Sequence, residues 1–498
     1  MKAIMVVGTT SHAGKSMLTT ALCRMLTRRG WRVAPFKGQN MALNAYVTPS
    51  GGEIGHAQAV QAWAAGIVPR VEMNPILLKP QGDMTSQVIL KGRVAGRVGA
   101  ADYYDQFFEV GWQAIEESLQ RLGEEFDLIV CEGAGSPAEV NLKHRDLTNM
   151  RVAKYLNAST ILVVDIDRGG AFAHIIGTLE LLEPEERALI RGIVINKFRG
   201  QRELLQSGID WLEKRTGIPV MGVIPWFEEV FPAEDSLSLL DRPARNSNAD
   251  LMVSVIRLPR ISNFTDFDPL ESESSVNVKY VTLKESLGYP DAVILPGSKT
   301  TIADLVAMQR TGMAEEIQNY VAAGGTLLGI CGGFQMMGKL LADPEGLEGQ
   351  EGRYKGLGLV PLKTVITGQK VARQRLVTSN FPQPGLPVAG YEIHQGRSHL
   401  AESDGEGNEP VFKPLFEDQN LGVVDTTQSI WGTYLHGIFD NGPWRRAWLN
   451  RLRQQRGLKS LPTGIPNYRE QREAMFDTLA SAVGQHLDLN PILQHLDK

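Results

Sequence analysis

Continuous apolar runs alternate with longer amphipathic stretches along the first 225 residues. The apolar runs are Ala3–Val7, Arg32–Phe36, Leu128–Cys131, Thr160–Asp165, Gly192–Asn196 and Val220–Ile224. The amphipathic stretches, which predict helices, include Met17–Arg29, Phe107–Leu122 and Arg202–Thr216. Strands that are apolar throughout are typical of a parallel sheet covered on both faces. The pattern therefore predicts a doubly wound α/β domain over residues 1–230.

The same pattern starts again after residue 250. Apolar runs at Leu251–Ile256, Ala292–Leu295, Gly325–Gly329 and Ser429–Tyr434 predict a second α/β domain over residues 251–442. Residues 231–250, between the two series, are polar, contain prolines and have no apolar period, which indicates a linker. Residues 343–353 and 402–409 indicate surface loops. The stretches Trp444–Arg456 and Tyr468–His486 predict a helical C-terminal extension over residues 443–498.

Composition and charge narrow the class of protein. The chain has 498 residues, with 51 Lys and Arg against 56 Asp and Glu, so its formal net charge is −5. This balance gives no basic patch for nucleic acid or an anionic membrane, and no apolar run approaches the roughly 18–20 residues of a membrane span. The three cysteines, Cys23, Cys131 and Cys331, are too widely spaced for a disulfide framework and indicate a reducing compartment. We expect a cytoplasmic enzyme of small molecules, without nucleic acid or membrane partners.

The first strand runs into a phosphate-binding loop, Gly8-Thr-Thr-Ser-His-Ala-Gly-Lys-Ser16. Gly14 allows the tight turn, Lys15 reaches the terminal phosphates of a nucleotide, and Ser16 is a ligand for Mg²⁺. Five residues separate Gly8 from Gly14 where the strict pattern has four, so Thr9 takes the place of the usual first glycine. The alternative is a glycine-rich turn that only caps a helix.

Acidic residues end two of the predicted strands of the first domain. Glu132 follows Leu128–Cys131, and Asp165 and Asp167 end the next strand. Because the loop needs a carboxylate to complete a Mg²⁺ site, we expect Glu132 to bind the metal together with Ser16. The alternative is that such acids cap helices. Residues 133–138 also match a dinucleotide fingerprint loosely, but they include a proline and no amphipathic helix follows directly.

The second domain contains a cysteine in a glycine-rich turn, Gly329-Ile-Cys-Gly-Gly333, directly after an apolar strand. This spacing is the thiol analogue of a nucleophile elbow, in which small neighbours permit a strained turn. We expect Cys331 to be a nucleophile and the N–H groups of Gly332 and Gly297 to stabilise an oxyanion. The alternative is that Cys331 is only a small buried apolar residue.

A thiol nucleophile requires a base. His436, at the end of the apolar run Ser429–Tyr434, is the best candidate, and His394 is the runner-up. The cysteine elbow, the turn Pro296-Gly-Ser298 and the late histidine together resemble a class I glutamine amidotransferase domain. That family has a glutamate two residues after the histidine, where this sequence has Ile438. The departure matches the branch that amidates cobyrinate, and it leaves open which group orients His436.

The phosphate loop, with its Gly-Thr start, resembles the dethiobiotin-synthetase-like branch of P-loop enzymes. Longer blocks closely resemble the cobyric acid synthase family over nearly the whole chain. These blocks are residues 36–44 (FKGQNMALN), 52–58, 73–80 (MNPILLKP), 86–90, 141–149 (NLKHRDLTN) and 261–268 (ISNFTDFD). The resemblance implies that ATP and glutamine are used to amidate the b, d, e and g carboxylates of adenosylcobyrinic acid a,c-diamide. It further implies carboxylate phosphorylation by ATP with Mg²⁺, and attack by ammonia from glutamine.

The resemblance also suggests residues that contact the corrinoid. The amides expected to do so are Gln39, Asn40, Asn44 and Asn149. We expect Asp146 to position or deprotonate the incoming ammonia and Glu53 to be a further Mg²⁺ ligand. The alternative for each Asn and Asp is a role in building turns.

Two rival functions remain open from the sequence. Cobyrinic acid a,c-diamide synthase has the same architecture, but the QNMALN and MNPILLKP blocks favour cobyric acid synthase. A ParA-like partitioning or scaffolding ATPase with an inert amidotransferase-like domain is the rival from another class. The acidic balance and the Cys331/His436 pair argue against it.

Overall fold

The structure is a computed structural model that describes residues 1–82, 84–227, 248–400, 412–425, 427 and 429–496. Most of the predicted linker and the whole of the predicted loop at 402–409 lie outside the described residues. Among the helices that the structure describes, none is long and apolar enough to cross a membrane.

The N-terminal half contains twelve strands and seven helices among its described residues. The strands are β1 (Lys2–Gly8), β2 (Val33–Phe36), β3 (Gln39–Met41), β4 (Ala45–Val47), β5 (Glu53–Gly55), β6 (Ile76–Pro80), β7 (Thr85–Leu90), β8 (Arg93–Gly99), β9 (Leu128–Glu132), β10 (Ser159–Asp165), β11 (Ile190–Phe198) and β12 (Val220–Pro225). The helices are α1 (Lys15–Arg28), α2 (His56–Ala64), α3 (Tyr103–Glu125), α4 (Met150–Leu156), α5 (Ala171–Leu181), α6 (Pro184–Arg187) and α7 (Gln206–Thr216).

Six of these strands form one parallel sheet in the order β12-β11-β10-β1-β9-β2. They confirm the six predicted strands to within two residues at each end. Apolar clusters cover both faces of the sheet, as the continuous apolar runs predict. Because the strands are parallel, the carboxyl ends of β1, β9 and β10 meet at one edge, which brings the phosphate loop beside Glu132.

An insertion between β2 and α3 was not predicted from the sequence. It forms a four-stranded sheet, β3-β6-β7-β8, and a two-stranded pair, β4-β5. Strands β3, β4 and β5 have only three residues each, and β8 is largely exposed. Apolar runs in these strands are at most three residues long, so hydrophobic periodicity does not detect them.

The C-terminal half contains thirteen strands and seven helices among its described residues. The strands are β13 (Leu251–Arg257), β14 (Ile261–Ser262), β15 (Val276–Thr282), β16 (Ala292–Leu295), β17 (Gly297–Ser298), β18 (Thr326–Ile330), β19 (Leu340–Asp343), β20 (Gly352–Lys355), β21 (Leu362–Thr378), β22 (Pro387–Leu400), β23 (Lys413–Pro414), β24 (Gly422–Asp425) and β25 (Ile430–Thr433). The helices are α8 (Asp268–Glu271), α9 (Thr301–Thr311), α10 (Met313–Ala322), α11 (Gly332–Met336), α12 (Gly442–Gln455), α13 (Tyr468–Gly484) and α14 (Asn490–Leu496).

The central sheet of this half has the order β15-β13-β16-β18-β25-β24-β23 and is parallel from β15 to β25. Strands β13, β16, β18 and β25 confirm the four predicted strands. The carboxyl ends of β16, β18 and β25 lie side by side, so the Pro-Gly-Ser turn, Cys331 and the segment leading to His436 meet at one edge.

The long hairpin β21–β22 joins the two halves. The Tyr391 hydroxyl donates a hydrogen bond to the Ala45 carbonyl at 3.1 Å. Tyr391 and Ile393 also belong to a small apolar cluster with Ala45 and other residues of the N-terminal insertion. The edge of the second domain that carries Cys331 therefore faces the N-terminal half.

The predicted C-terminal extension packs on two different cores. Trp444 and Trp448 of α12 are fully buried in the core of the C-terminal half. Phe476 of α13 and Ile492 of α14 are buried instead in the core of the N-terminal half. The chain thus returns to its first domain, with α13 packed against α1.

Candidate active site

The phosphate loop follows β1 and ends where α1 begins. Gly14 has a φ of 100°, in the left-handed region, and a Cβ atom built on it would lie 2.0 Å from Asn196 Nδ2. Asn196 Nδ2 donates to the Ala13 carbonyl at 2.8 Å, so this buried amide holds the loop from β11, which lies beyond β10 in the sheet. Both observations require glycine at position 14. The N–H groups at the start of α1 are therefore held in position to bind an anion.

The side chains of the loop lie at the carboxyl edge of the sheet. Lys15 Nζ donates to the carbonyls of Thr10 at 3.1 Å and Gly135 at 3.0 Å. Ser16 Oγ donates to Glu132 Oε1 at 2.9 Å. Thr9 is buried, and its hydroxyl has no hydrogen-bond partner among the described residues. The structure thus brings the predicted nucleotide-binding residues and Glu132 together.

Glu132 is buried within a network of polar side chains. Its Oε1 also accepts from Lys37 Nζ at 2.8 Å, and its Oε2 accepts from Gln61 Nε2 at 2.5 Å. Lys37 balances the buried charge. Neither Lys37 nor Gln61 was singled out from the sequence, because a single lysine or glutamine carries no recognisable spacing.

A cavity of about 290 Å³ opens beside the loop. Gln39, Tyr104, Gly135, Asp146 and Asn149 are among its lining residues. Lys15, which is expected to bind a terminal phosphate, contacts the carbonyl of Gly135, and Gly135 also lines the cavity. The cavity therefore adjoins the expected phosphate position. A second substrate bound there would meet that phosphate.

Asp146 and Asn149 are engaged within the protein. Asp146 Oδ1 accepts from the backbone N–H groups of Thr148 and Asn149, both at 2.8 Å, and Oδ2 accepts from the N–H of Arg151 at 3.0 Å. The Asn149 side chain bonds both backbone groups of Ala134, at 2.8 and 3.1 Å. Asp146 thus caps the start of α4, as the turn-building alternative predicts. Both residues also form the cavity wall.

The three amides of the QNMALN block are placed in different surroundings. Gln39 Oε1 accepts from the Tyr103 hydroxyl at 2.6 Å at the cavity wall. Asn40 is buried, and its Nδ2 donates to Gln58 Oε1 at 2.9 Å. Asn44 Oδ1 accepts from the backbone N–H of Phe264 at 3.1 Å, across the junction of the two halves. Gln39 therefore faces the cavity, whereas Asn44 holds the halves together.

Cys331 lies on a strained turn between β18 and α11. Its φ of 53° and ψ of −109° are unusual for a residue with a side chain. A Cβ atom on Gly333 would lie 2.0 Å from the Leu295 carbonyl oxygen, and one on Gly332 would lie 2.9 Å from Ser298 N. The glycines thus let the elbow contact the Pro-Gly-Ser turn, as the spacing predicts. The N–H of Gly332 opens α11, where it has no helical partner.

The imidazole of His436 is held between Cys331 and a carboxylate that the sequence did not reveal. His436 contacts the Cys331 thiol, and its Nδ1 lies 2.7 Å from Asp266 Oδ2. Asp266 Oδ1 accepts from the N–H of Gly437 at 2.9 Å. Burial alone would lower the pKa of His436, but Asp266 and Cys331 outweigh it and raise that pKa to about 10. Cys331, His436 and Asp266 have the geometry of a nucleophile, a base and an orienting acid.

Asp266 lies 170 residues before His436 in the chain, so no local spacing links them. Its only signal in the sequence is the ISNFTDFD block, at residues 261–268, which resembles the family. Glu392 instead pairs with Arg373 at 2.6 Å, and its Oε2 lies 3.4 Å from His394 Nε2. His394, the runner-up base, stacks on Tyr434 at 4.1 Å and lines the cavity at Cys331.

The turn opposite the elbow presents a different N–H group from the one expected. Gly297 is paired with Ser262 in the two-stranded β14–β17 ladder, and Lys299 N donates to the Arg260 carbonyl across the same ladder. Since successive N–H groups of a strand point to opposite sides, the N–H of Ser298 points away from β14, and its nitrogen lies close to Gly332. Gly297 itself allows the close approach of His436 Cε1, which would lie 3.2 Å from a Cβ atom.

Glu53, the expected further Mg²⁺ ligand, is engaged elsewhere. Its Oε1 accepts from Lys79 Nζ at 2.6 Å, and its Oε2 is in a short contact with Lys370 Nζ of the C-terminal half. Burial would raise the pKa of Glu53, but the two lysines outweigh it and lower that pKa to about 2. The two lysines line the cavity at Cys331, so Glu53 is held there and not at the phosphate loop beside Ser16 and Glu132. The expectation failed because sequence spacing does not reveal these lysines.

Two family models match the chain. One, described as the CobQ/CobB/MinD/ParA nucleotide binding domain, matches residues 4–239. The other, described as a CobB/CobQ-like glutamine amidotransferase domain, matches residues 252–444. The chain therefore contains a nucleotide-binding domain followed by a glutamine amidotransferase domain. A crystallised glutamine amidotransferase aligns with 41% of this chain and 99% of its own, at 16% identity and a TM-score of 0.30, which is too low to support any inference.

Curated relatives match over the full length. A cobyric acid synthase from Nostoc sp. is 74% identical over 99% of both chains. Those from Trichodesmium erythraeum and Synechococcus elongatus are 69% and 66% identical, covering 99% and 100% of this chain and all of their own. At this similarity over the whole of both chains, the protein belongs to the cobyric acid synthase family.

Proposed function

We propose that the protein amidates the b, d, e and g carboxylates of adenosylcobyrinic acid a,c-diamide, with ATP and glutamine as co-substrates. One observation carries the proposal: a single chain contains both of the sites that the reaction needs. A phosphate loop lies beside an open cavity in the N-terminal half, and the Cys331–His436–Asp266 site of the C-terminal half faces that N-terminal half. The full-length relatives named cobyric acid synthase support the choice of substrate.

The N-terminal half would activate a carboxylate. An oxygen of the corrinoid carboxylate attacks the γ-phosphorus of ATP, and the bond to the β,γ-bridging oxygen breaks to release ADP. Lys15 and the N–H groups at the start of α1 would stabilise the phosphate charge. The acyl phosphate provides phosphate as a leaving group, which a free carboxylate lacks.

Ser16 and Glu132 fit a Mg²⁺ ion. Their oxygens lie 2.9 Å apart at the edge where the phosphates would bind, and Mg²⁺ takes one or two protein oxygens together with phosphates and waters. When bound, the ion would offset the charge of the terminal phosphates. Lys37 and Gln61 fix the Glu132 carboxylate in position.

The C-terminal half would release ammonia from glutamine. The Cys331 thiolate attacks the side-chain amide carbon, and the imidazolium of His436 gives its proton to the departing ammonia. The N–H groups of Gly332 and Ser298, the latter in place of Gly297, would bind the oxyanion. Water, deprotonated by His436, then hydrolyses the thioester and releases glutamate.

One short segment connects the two sites. Glu53 contacts Lys370, which lines the cavity at Cys331, and residues 53–61 lead directly to Gln61, which contacts Glu132. Gln58 and Asn40 form a further buried polar pair along it. We propose that ammonia passes along this polar segment to the acyl phosphate. The cavity wall formed by Gln39, Asp146 and Asn149 would hold the substrate's carboxylate arm, with Asp146 positioning α4 and not acting as the base.

Comparing two corrinoid substrates tests this proposal against the closest rival function, that of cobyrinic acid a,c-diamide synthase. The purified protein is given ATP, glutamine and either cobyrinic acid or its a,c-diamide, and the products are analysed by mass spectrometry. We expect conversion of the a,c-diamide through four successive carboxylate-to-amide mass changes. Conversion of cobyrinic acid with none of the a,c-diamide would instead identify a cobyrinic acid a,c-diamide synthase.

A further inference from the structure

The cavity beside Cys331 is lined by three lysines from both halves of the chain. Lys79 lies on β6 of the N-terminal insertion, Lys370 on β21, and Lys299 directly after β17. Cys331 and Glu348 line the same cavity. This wall therefore requires both halves, although the elbow itself lies in one.

The three lysines are not equivalent. Lys79 and Lys370 both bind the buried carboxylate of Glu53. The Lys299 ammonium has no hydrogen bond or ion pair with any residue that the structure describes, although the residue is only 9% exposed. The charge of Glu348 favours the Lys299 ammonium, but no hydrogen bond joins the two side chains, so this position is suited to an anion that arrives with a ligand.

The charges around the cavity also favour an anion. Three lysines face it against the two carboxylates of Glu53 and Glu348, and Glu348 already accepts from the N–H of Ile302 at 3.3 Å. Burial, together with Lys370 and Lys79, lowers the pKa of Lys299 to about 7 against the opposing effect of Glu348 and Glu53. A carboxylate beside the Lys299 ammonium would favour its charged form.

Resting on the proposed glutaminase activity, we propose that Lys299 binds the α-carboxylate of L-glutamine while the side-chain amide lies at Cys331. Lys299 follows Ser298, whose nitrogen lies close to Gly332, so its side chain begins beside the nucleophile turn. Both Lys299 and Cys331 line one small cavity. Lys79, held by Glu53, completes the wall from the N-terminal half.

Comparing the hydrolysis of two amide substrates distinguishes binding of the α-carboxylate from a merely structural role of Lys299. L-Glutamine carries the α-carboxylate, whereas 4-aminobutanamide has the same chain and amide without it. Glutamate or 4-aminobutanoate release is measured for the full-length wild type, Lys299→Met and Lys299→Arg, with Lys284→Met as a control at an exposed lysine of the same half. Amidation of the corrinoid with free ammonia reports whether each variant is folded.

A charge-assisted hydrogen bond of ordinary strength predicts that Lys299→Met lowers kcat/KM for glutamine about 10- to 100-fold, mainly through KM. The value for 4-aminobutanamide should stay within about 3-fold, Lys299→Arg should retain part of the preference for glutamine, and Lys284→Met should match the wild type. Equal losses for both amides, or no loss for glutamine, would overturn the assignment while leaving the glutaminase intact. A wild type that releases no ammonia from glutamine would refute the proposed function and this inference with it.

Discussion

Asp266 is the residue that completes the cysteine–histidine pair. Its carboxylate holds Nδ1 of His436 and the N–H of Gly437, so it fixes both the imidazole and the backbone that carries it. The glutamate that the amidotransferase family usually places two residues after the histidine is replaced here by Ile438. In this structure the acid that contacts His436 Nδ1 is Asp266, which comes from a different segment of the chain.

Replacing Asp266 should impair glutamine hydrolysis selectively. We expect Asp266→Asn to lower kcat for glutamine by about 10²-fold or more, because the imidazole loses the acid that orients it and stabilises its charge. Ammonia-dependent amidation should be unchanged. Glu315→Gln is the matched control, at an exposed acid on α10 of the same half. Equal glutaminase rates in Asp266→Asn and the wild type would contradict this role.

The same pair makes stability depend on pH. The pKa of His436 is raised from 6.5 to about 10 on folding, chiefly by Asp266 against the effect of burial. The stabilisation is therefore complete below pH 6.5 and is lost as the pH rises to about 10. Denaturant unfolding across this range should show a loss of free energy of unfolding in the wild type that Asp266→Asn lacks. Parallel pH profiles for the two proteins would count against it.

Glu53 gives the opposite pH dependence. Glu53→Gln leaves Lys79 and Lys370 buried without their carboxylate, so we expect the free energy of unfolding to fall by about 3–5 kcal/mol at pH 7. Because folding lowers the pKa of Glu53 from 4.5 to about 2, the difference between the two proteins should shrink as the pH falls through this range. Urea titrations at pH 7 and pH 3 measure it. A destabilisation below about 1 kcal/mol at pH 7 would show that the carboxylate does not hold the two halves together.

At the scale of elements, the elbow depends on close contact between two turns. Gly333→Ala would place a Cβ atom 2.0 Å from the Leu295 carbonyl oxygen and so displace α11 from the Pro-Gly-Ser turn. We expect glutamine-dependent amidation to fall at least about 10²-fold while ammonia-dependent amidation persists. Gly368→Ala is the control, because a Cβ atom there meets nothing within 4 Å. Full glutaminase activity in Gly333→Ala would show that the contact is dispensable.

The elements that the sequence predicted are those with a strong apolar period. All six strands of the first sheet, and β13, β16, β18 and β25 of the second, were recognised to within two residues, whereas β15, β23 and β24 of the second sheet were missed. The phosphate loop and the elbow were recognisable because glycine is required at fixed offsets from Lys15 and Cys331. The insertion strands β3 to β5 have only three residues each, too few to show a hydrophobic period. The hairpin β21–β22, which carries Lys370 to the site, is half-exposed and largely polar after Ile366 and was likewise missed.

What the sequence could not predict depends on distant contacts. Asp266 reaches His436 over 170 residues, and Lys370 reaches Glu53 over 317 residues. Such pairs are set by how the two halves pack, which no local pattern encodes. The Glu53 prediction failed for this reason.

At the scale of the whole molecule, α13 and α14 tie the C-terminus to the first domain. Phe476 is 2% exposed and lies in the core beneath α1. We expect Phe476→Ala to lower the free energy of unfolding of the N-terminal half by about 3–5 kcal/mol. Leu204→Ala, at a side chain that is 79% exposed, should change it by less than about 0.5 kcal/mol. Calorimetry measures both, and equal effects of the two substitutions would argue against this packing.

The central claim is that ammonia released at Cys331 reaches carboxylates activated at the phosphate loop of the same chain. The most direct test supplies ATP, adenosylcobyrinic acid a,c-diamide and glutamine labelled with ¹⁵N in its amide, in a medium containing unlabelled ammonium, and measures the product by mass spectrometry. We expect ¹⁵N in all four new amides with the wild type, and only unlabelled amides with Cys331→Ala. Unlabelled amides from the wild type, or labelled ones from Cys331→Ala, would contradict the account.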